Sequence, residues 1–318
     1  MAGCVRDPCG LLCVLLTYLS LGYADYVIIR HVLLQHYSEG IWCPLHAVGF
    51  NLMVVMLLAC HTRAVFSDPG TVPLPDTAID FSDLRSGTPR KNDTGNEDWT
   101  VCNRCETYRP PRAHHCRICH RCIRRMDHHC PWYVLAPHWP QCYRPLHLIS
   151  LLLSFTPTPL CYRINNCVGE LNQKYFIQFL FYTGLTSLYA MGLVVATWLW
   201  PPKRGYVEEP DTGVPAHSNV QIAHYILLLV ESVLFGLFVT VIFYDQIVSI
   251  MNDETPIEQL RKRLLKEARR EVAHTRKPKM ALLREVFGRG YMMCWIFPCN
   301  CAPASGGPAY SYLPDYDV

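Results

Sequence analysis

The chain has 318 residues and a formal net charge of only +3; half of its residues are hydrophobic and 17% are charged. Apolar residues gathered in long blocks at so low a charge density exclude an ordinary cytosolic enzyme and point to a polytopic membrane protein. No nucleic-acid partner is expected.

Taken in chain order, Leu11 to Leu34 and Leu45 to Thr62 are apolar blocks near or above the ~18 to 20 residues that cross a bilayer as a helix. The first is too long for a signal peptide, lacks a small-residue cleavage site and contains Asp25, so a retained span is expected. Residues 1–66 therefore hold transmembrane helices 1 and 2. Residues 67–99 follow as a cytosolic loop: Asp68 to Trp99 is rich in Pro, Gly, Ser, Thr and Asp, and has no apolar periodicity. Its Asn92-Asp93-Thr94 matches a glycosylation acceptor that a cytosolic placement leaves unused.

After the cysteine-rich stretch at 100–173, residues 174–250 carry helices 3 and 4, in the blocks Tyr175 to Trp200 and Ile222 to Tyr244. Lys and Arg number 12 between Ser67 and Gln173 and 11 after Met251, against Lys203 and Arg204 alone between the last two spans. The positive-inside rule then places both basic segments, and both termini, in the cytosol. Asp25 and Glu231 lie inside predicted spans, where a polar contact between helices is at least as good a reading as a functional one.

Seventeen cysteines suggest disulfides, but their densest cluster falls in the segment assigned to the reducing cytosol, which favours metal or catalysis. Cys102, Cys105, His115, Cys116, Cys119, Cys122, His129 and Cys167 supply eight donors, enough for two closed tetrahedral zinc sites of three cysteines and one histidine. Cys130 is left over, and its neighbours suit activation. His128 would accept the thiol proton, Asp127 would orient the imidazole, and His129 would turn toward metal.

These residues resemble the DHHC-type protein S-acyltransferases, or palmitoyltransferases, and most of all their Golgi-type subgroup. The resemblance runs over nearly the whole chain: Asp68-Pro69-Gly70, the cysteine-rich segment from Cys102, the tetrad Asp127-His128-His129-Cys130, and INNCVGELNQKYF from Ile164. It implies an α-helical polytopic membrane protein with four transmembrane helices and a cytosolic zinc-binding domain between helices 2 and 3. One zinc would be held by Cys102, Cys105, His115 and Cys122, the other by Cys116, Cys119, His129 and Cys167. Cys130 would take the acyl group from a fatty acyl-CoA such as palmitoyl-CoA and pass it to cysteine thiols of membrane-associated proteins, in the Golgi or endoplasmic reticulum membrane. Arg109, Arg112 and His114 match positions expected near the CoA phosphates, although a solvated basic face weighs equally.

The tail, 251–318, departs from the family pattern. Thr255-Pro256-Ile257-Glu258 has proline where the family has a second threonine, losing any hydroxyl contact from that position. Ile257, Leu260, Leu264, Leu265, Ala268 and Val272 recur at helical spacing opposite Lys and Arg, suited to an anionic membrane face or to packing on the cysteine-rich domain. VFGRGYMMCWIFPCNC matches only loosely; Cys294, Cys299 and Cys301 are candidates for lipidation, and Tyr316-Asp317-Val318 for a PDZ-domain protein.

Residues 133–163 separate CPW from INNC, and removing these 31 residues restores the family's spacing. They read as an insertion. Its ends, Trp-Tyr-Val and Cys-Tyr-Arg, back-translate into splice signals, and LISLLLSFTPTPLCYR into a pyrimidine-rich tract, the pattern of a retained intron. Two readings compete with the acyltransferase: a catalytically impaired, membrane-anchored zinc scaffold, and a RING-like ubiquitin ligase, for which the cysteines are too tightly grouped.

Overall fold

A computed structural model describes residues 8–38, 40–74, 100–129, 164, 166–200, 219–255, 257–258 and 278–299, with the backbone alone at 8–10, 13 and 129. Helix α1 (Pro8–Val27) runs into a π-helical stretch (Ile28–Leu33) and the short α2 (Leu34–His36). Then come α3 (Trp42–Phe66), α4 (Gln173–Leu199), α5 (Asn219–Asn252) and α6 (Lys279–Phe287), with a 3-10 turn at Met292–Trp295. Among the described residues α3, α4 and α5 are long and apolar enough to cross a membrane. The first block differs from the single span expected: α1 gives way to wider π turns, a departure usually tied to local packing. Ile28, Val32 and Leu33 of those turns are buried.

The helices pack around α4, which runs beside both α3 and α5. One core cluster joins Leu57, Cys60 and Ala64 to Phe179 and to Phe235 and Val239; a second joins Val27 and Ile28 to Phe50, Val194, Tyr225 and Leu228. Glu231 of α5 accepts a hydrogen bond from Ser20 of α1, and the Tyr23 hydroxyl meets His224 Nδ1 at 2.8 Å. Of the two in-span acids, Glu231 therefore serves a polar contact between helices.

The cysteine-rich segment folds as three two-stranded antiparallel ladders: β1 (Thr100–Cys102) with β2 (Thr107–Arg109), β3 (His114–Cys116) with β4 (Arg121–Ile123), and β5 (His128–His129) with β6 (Cys167–Val168). Such short ladders bury little, and the buried cysteines carry the small cores around them. Two motifs tie the segment to the helices. Asp68 Oδ1 accepts from the backbone N–H of Gly70 and Thr71, making a turn in which Gly70 takes φ +101°. That turn lies on Gly169, where a Cβ would stand 2.4 Å from the Pro69 carbonyl and 2.7 Å from Ile123, so only glycine fits. Asn166 and Asn172 meanwhile donate to the carbonyls that end α3, Asn166 to Ala64, Val65 and Ser67 and Asn172 to Ala64, and Asn172 also donates to the Cys167 carbonyl of β6.

Candidate active site and metal clusters

The β3–β4 register puts His115 opposite Cys122, and the turn after β1 brings Cys105 back toward Cys102. The ligand atoms of all four lie within 4.8 Å of one another. His115 Nδ1 stands 3.5 Å from Cys102 Sγ, 3.2 Å from Cys105 Sγ and 3.8 Å from Cys122 Sγ, and Cys122 to Cys105 is 3.8 Å. A zinc ion with ordinary bond lengths spaces its tetrahedral donors by about 3.6 to 3.8 Å, so the cluster has the dimensions of a zinc site.

The second cluster brings Cys116, Cys119 and Cys167 together, with Cys119 Sγ 3.4 Å from Cys167 Sγ and the Cys119 N–H 3.3 Å from Cys116 Sγ. The β5–β6 register sets His129 directly opposite Cys167. Both clusters are compatible with zinc by donor chemistry as well as by distance. Crowding between thiols pushes Cys119 up to about 12, with the Cys116 contact as the main cause, and pushes Cys167 up further for the same reason. Burial raises Cys122 and Cys105. Thiols held this close resist ionising unless a cation sits among them. Cys102 is lowered: burial opposes its ionisation, but hydrogen bonds from the Arg104 and Cys105 backbone and from neighbouring thiols outweigh it.

One residue before this cluster, His128 Nδ1 lies 2.7 Å from Asp127 Oδ2, and the same oxygen accepts from Gln246 Nε2 of α5 at 2.7 Å. Asp127 is 1% exposed, its backbone N–H bonds the Val168 carbonyl, and the His128 ring meets Phe176 edge-on at 5.5 Å. The imidazole is thus held by a buried carboxylate that a membrane helix holds in turn. Cys130 lies outside the described residues, as do 131–163, Pro256 and the tail beyond Cys299.

Of the residues singled out for CoA, Arg109 Nε bonds the Thr100 hydroxyl. His114 opens β3. Arg112 is engaged elsewhere: it grips both carboxylate oxygens of Glu258, at 2.7 and 2.9 Å, and bonds Asp253 through its carboxylate and its carbonyl, at 2.8 and 2.9 Å. Those hydrogen bonds raise its pKa against the burial that lowers it. Arg125 extends the clamp to Asp253 and to Glu285 of α6. Thr255 and Glu258 close a reciprocal capping box, Thr255 N–H to Glu258 Oε2 at 2.8 Å and Glu258 N–H to Thr255 Oγ1 at 3.4 Å. The following position, Pro256 in sequence, is where helices tolerate proline.

Sequence reasoning missed Gln246, the two asparagines and the acidic partners of Arg112. A signal for the first was present: Gln246, Ser249 and Asp253 share one helical face at the basic-tail end of an apolar block.

The profile of the DHHC palmitoyltransferase family matches residues 95–134 and 160–263. Among curated proteins, human palmitoyltransferase ZDHHC3 is 32% identical over 309 residues, covering 97% of this chain and 87% of that protein. Rat palmitoyltransferase ZDHHC7 is 30% identical over 316 residues, covering 96% and 86%. Probable protein S-acyltransferase 13 of Arabidopsis thaliana is 29% identical over 219 residues, 67% and 60%.

Proposed function

The chain belongs to the DHHC palmitoyltransferase family, and from that membership we propose that it palmitoylates proteins through an acyl-enzyme on Cys130. The observation that carries this reading is the Gln246–Asp127–His128 relay, which ends two residues before Cys130 in sequence. Asp127 on Nδ1 selects the tautomer whose Nε2 is basic, the role a buried carboxylate plays for a catalytic imidazole. His128 Nε2 takes the Cys130 thiol proton, and the thiolate attacks the thioester carbonyl of a fatty acyl-CoA. A carbon–sulfur bond forms to Cys130, the bond to CoA breaks, and the CoA thiolate leaves with the proton held by His128. In the second step His128 takes a proton from a substrate cysteine, whose thiolate attacks the acyl-enzyme and returns Cys130 to its thiol.

Zinc in the two clusters supplies folding energy rather than reactivity, since all four donors of each would be protein side chains. In this reading Cys102, Cys105, His115 and Cys122 hold one ion, and Cys116, Cys119, His129 and Cys167 the other. With Arg112 committed to Glu258 and Asp253, the CoA phosphates fall to Arg109 and His114. Four transmembrane helices, α1 with its π turns joining the three span-capable helices α3, α4 and α5, would leave both termini cytosolic in the Golgi membrane. The unmatched interval 135–159 in the family profile supports the reading of 133–163 as an insertion. The PDZ-binding ending lies outside the described residues.

The test is incubation of purified protein with labelled palmitoyl-CoA. The native chain should take up hydroxylamine-labile label, and Cys130→Ser none, while both carry the same zinc. Loss of an ion in Cys130→Ser would reassign that sulfur as a ligand.

A further inference from the structure

After α6 the chain turns at Gly288, with φ +97°, and the 3-10 segment folds back: Trp295 stacks on Phe287 at 5.5 Å and donates to the Gly288 carbonyl. The segment then lies along one stripe of α4. Lys174 Nζ donates to the carbonyls of Cys294 and Cys299, Gln178 Nε2 to those of Trp295 and Phe297, and the Tyr182 hydroxyl to that of Ile296. Lys174, Gln178 and Tyr182 are spaced i, i+4, i+8, one face of the helix. They are themselves buried by this contact and its neighbours.

The depth of that contact follows from α4 itself. Its 27 residues span ~40 Å, the ~40 to 45 Å of a bilayer with its headgroups. Exposed Trp198 and Trp200 mark the far interface, and the ~20 residues of hydrocarbon counted back from them end near Gln178. Tyr182 then lies ~6 Å inside the hydrocarbon, and the Ile296 carbonyl it bonds lies there with it. Irregular backbone is tolerated at that depth only if its polar groups find partners in protein. Here successive carbonyls are taken up by side chains of one membrane helix. The side chains that point away are apolar and uncovered: Met292 is 58% exposed, Met293 68%, Ile296 46% and Phe297 48%. Tyr291, 87% exposed, stands at the start of the turn with an aromatic ring suited to the headgroup boundary.

We propose that residues 291–297 are a re-entrant hook that dips into the cytosolic leaflet beside α4, with phospholipid acyl chains as the occupant of its exposed apolar face. Solvent is a poor occupant for so many large apolar side chains in one short turn. The hook pins α6, and through Glu285 and Arg125 the cysteine-rich domain, at a fixed height over the bilayer.

The full chain in nanodiscs of phosphatidylcholine and phosphatidylserine, one chain per disc, tests this. Met293→Cys and Ile296→Cys are labelled with a membrane-impermeant maleimide and read by peptide mass spectrometry, with Lys279→Cys as the water-exposed reference. Both hook positions should react at least about tenfold more slowly than the reference. A phosphatidylcholine carrying a carbene precursor on its acyl chain should leave adducts on the 291–297 peptide of the native chain. Labelling as fast as the reference overturns the proposal. So does protection without lipid adducts, which would mean that protein covers the segment.

Discussion

The two clusters both gather cysteine thiols but close over different lengths of chain. The first takes all four from Cys102 to Cys122, within two adjacent ladders whose registers already set His115 against Cys122. The second reaches from Cys116 to Cys167, and its β5–β6 ladder joins the strand that carries His128 to the strand that enters α4. One cluster is a local staple; the other couples the strand that carries His128 to the membrane helices. Asn166 and Asn172 flank Cys167 and hold the end of α3, so the second cluster also fixes the domain on the helices.

The largest expected effect breaks the symmetry between the clusters. A structural zinc is worth ~10 to 16 kcal/mol in apparent binding, more than a small domain's whole stability. Cys122→Ser should lose both ions, because β4 carries Cys122 against β3, and β3 holds His115 and Cys116 for the two clusters alike. Cys167→Ser should lose one and keep the first. Zinc per chain by mass spectrometry reads the difference directly, and loss of a single ion in each variant would show that the clusters fold as independent sites.

A smaller effect concerns the chain that the second cluster must close. Of the 36 residues between Cys130 and Cys167, 31 are residues 133–163. With closure cost growing as (3/2)RT ln n, they add about 1.8 kcal/mol, well below the ~10 to 16 kcal/mol of zinc. The second cluster should therefore survive the insertion, with weakened affinity but a site that stays essentially full. His138, Cys142 and Cys161 bring competing donors, and LISLLLSF brings apolar surface. Deleting 133–163 should raise autoacylation by about tenfold with little change in zinc content. Equal rates in the two forms would make the segment a tolerated surface loop.

The contrast between clusters also explains what was legible in the sequence. The cysteines of the two clusters and His115 could be read because zinc chemistry imposes short spacings on particular residue types. The pairings that place them are long-range, and spacing carries no trace of them. Gln246 meets Asp127 across 119 residues of chain, and Arg112 meets Glu258 across 146. A basic residue near the site suggested phosphate, but charge alone does not name its partner, and the carboxylates of the tail reached Arg112. Thr255-x-x-Glu258 was a capping-box pattern in plain view, although the proline between drew attention to the missing hydroxyl instead. The π turns of the first block, which bury Ile28, Val32 and Leu33, had no signal in the spacing of apolar residues.

The smallest effect tests whether the coupling between membrane and catalytic strand reaches the chemistry. Gln246→Leu keeps the volume and the helix but removes one of the two donors on Asp127 Oδ2, leaving a buried carboxylate held by His128 through that oxygen. A hydrogen bond to a charged group is worth ~1.5 to 3 kcal/mol, and a fraction spent on orientation gives a loss of about tenfold in acylation rate. His128→Ala, which removes the base, should lose ~10² to 10⁴-fold. Zinc content should stay at the native value in both. Gln246 acts through Asp127 and His128, so it is a positioning residue and its effect must vanish once the imidazole is gone. The double variant should be as slow as His128→Ala alone. Independent, multiplying losses would mean that Gln246 only supports the packing of α5, and that the membrane helix holds the domain without tuning its base.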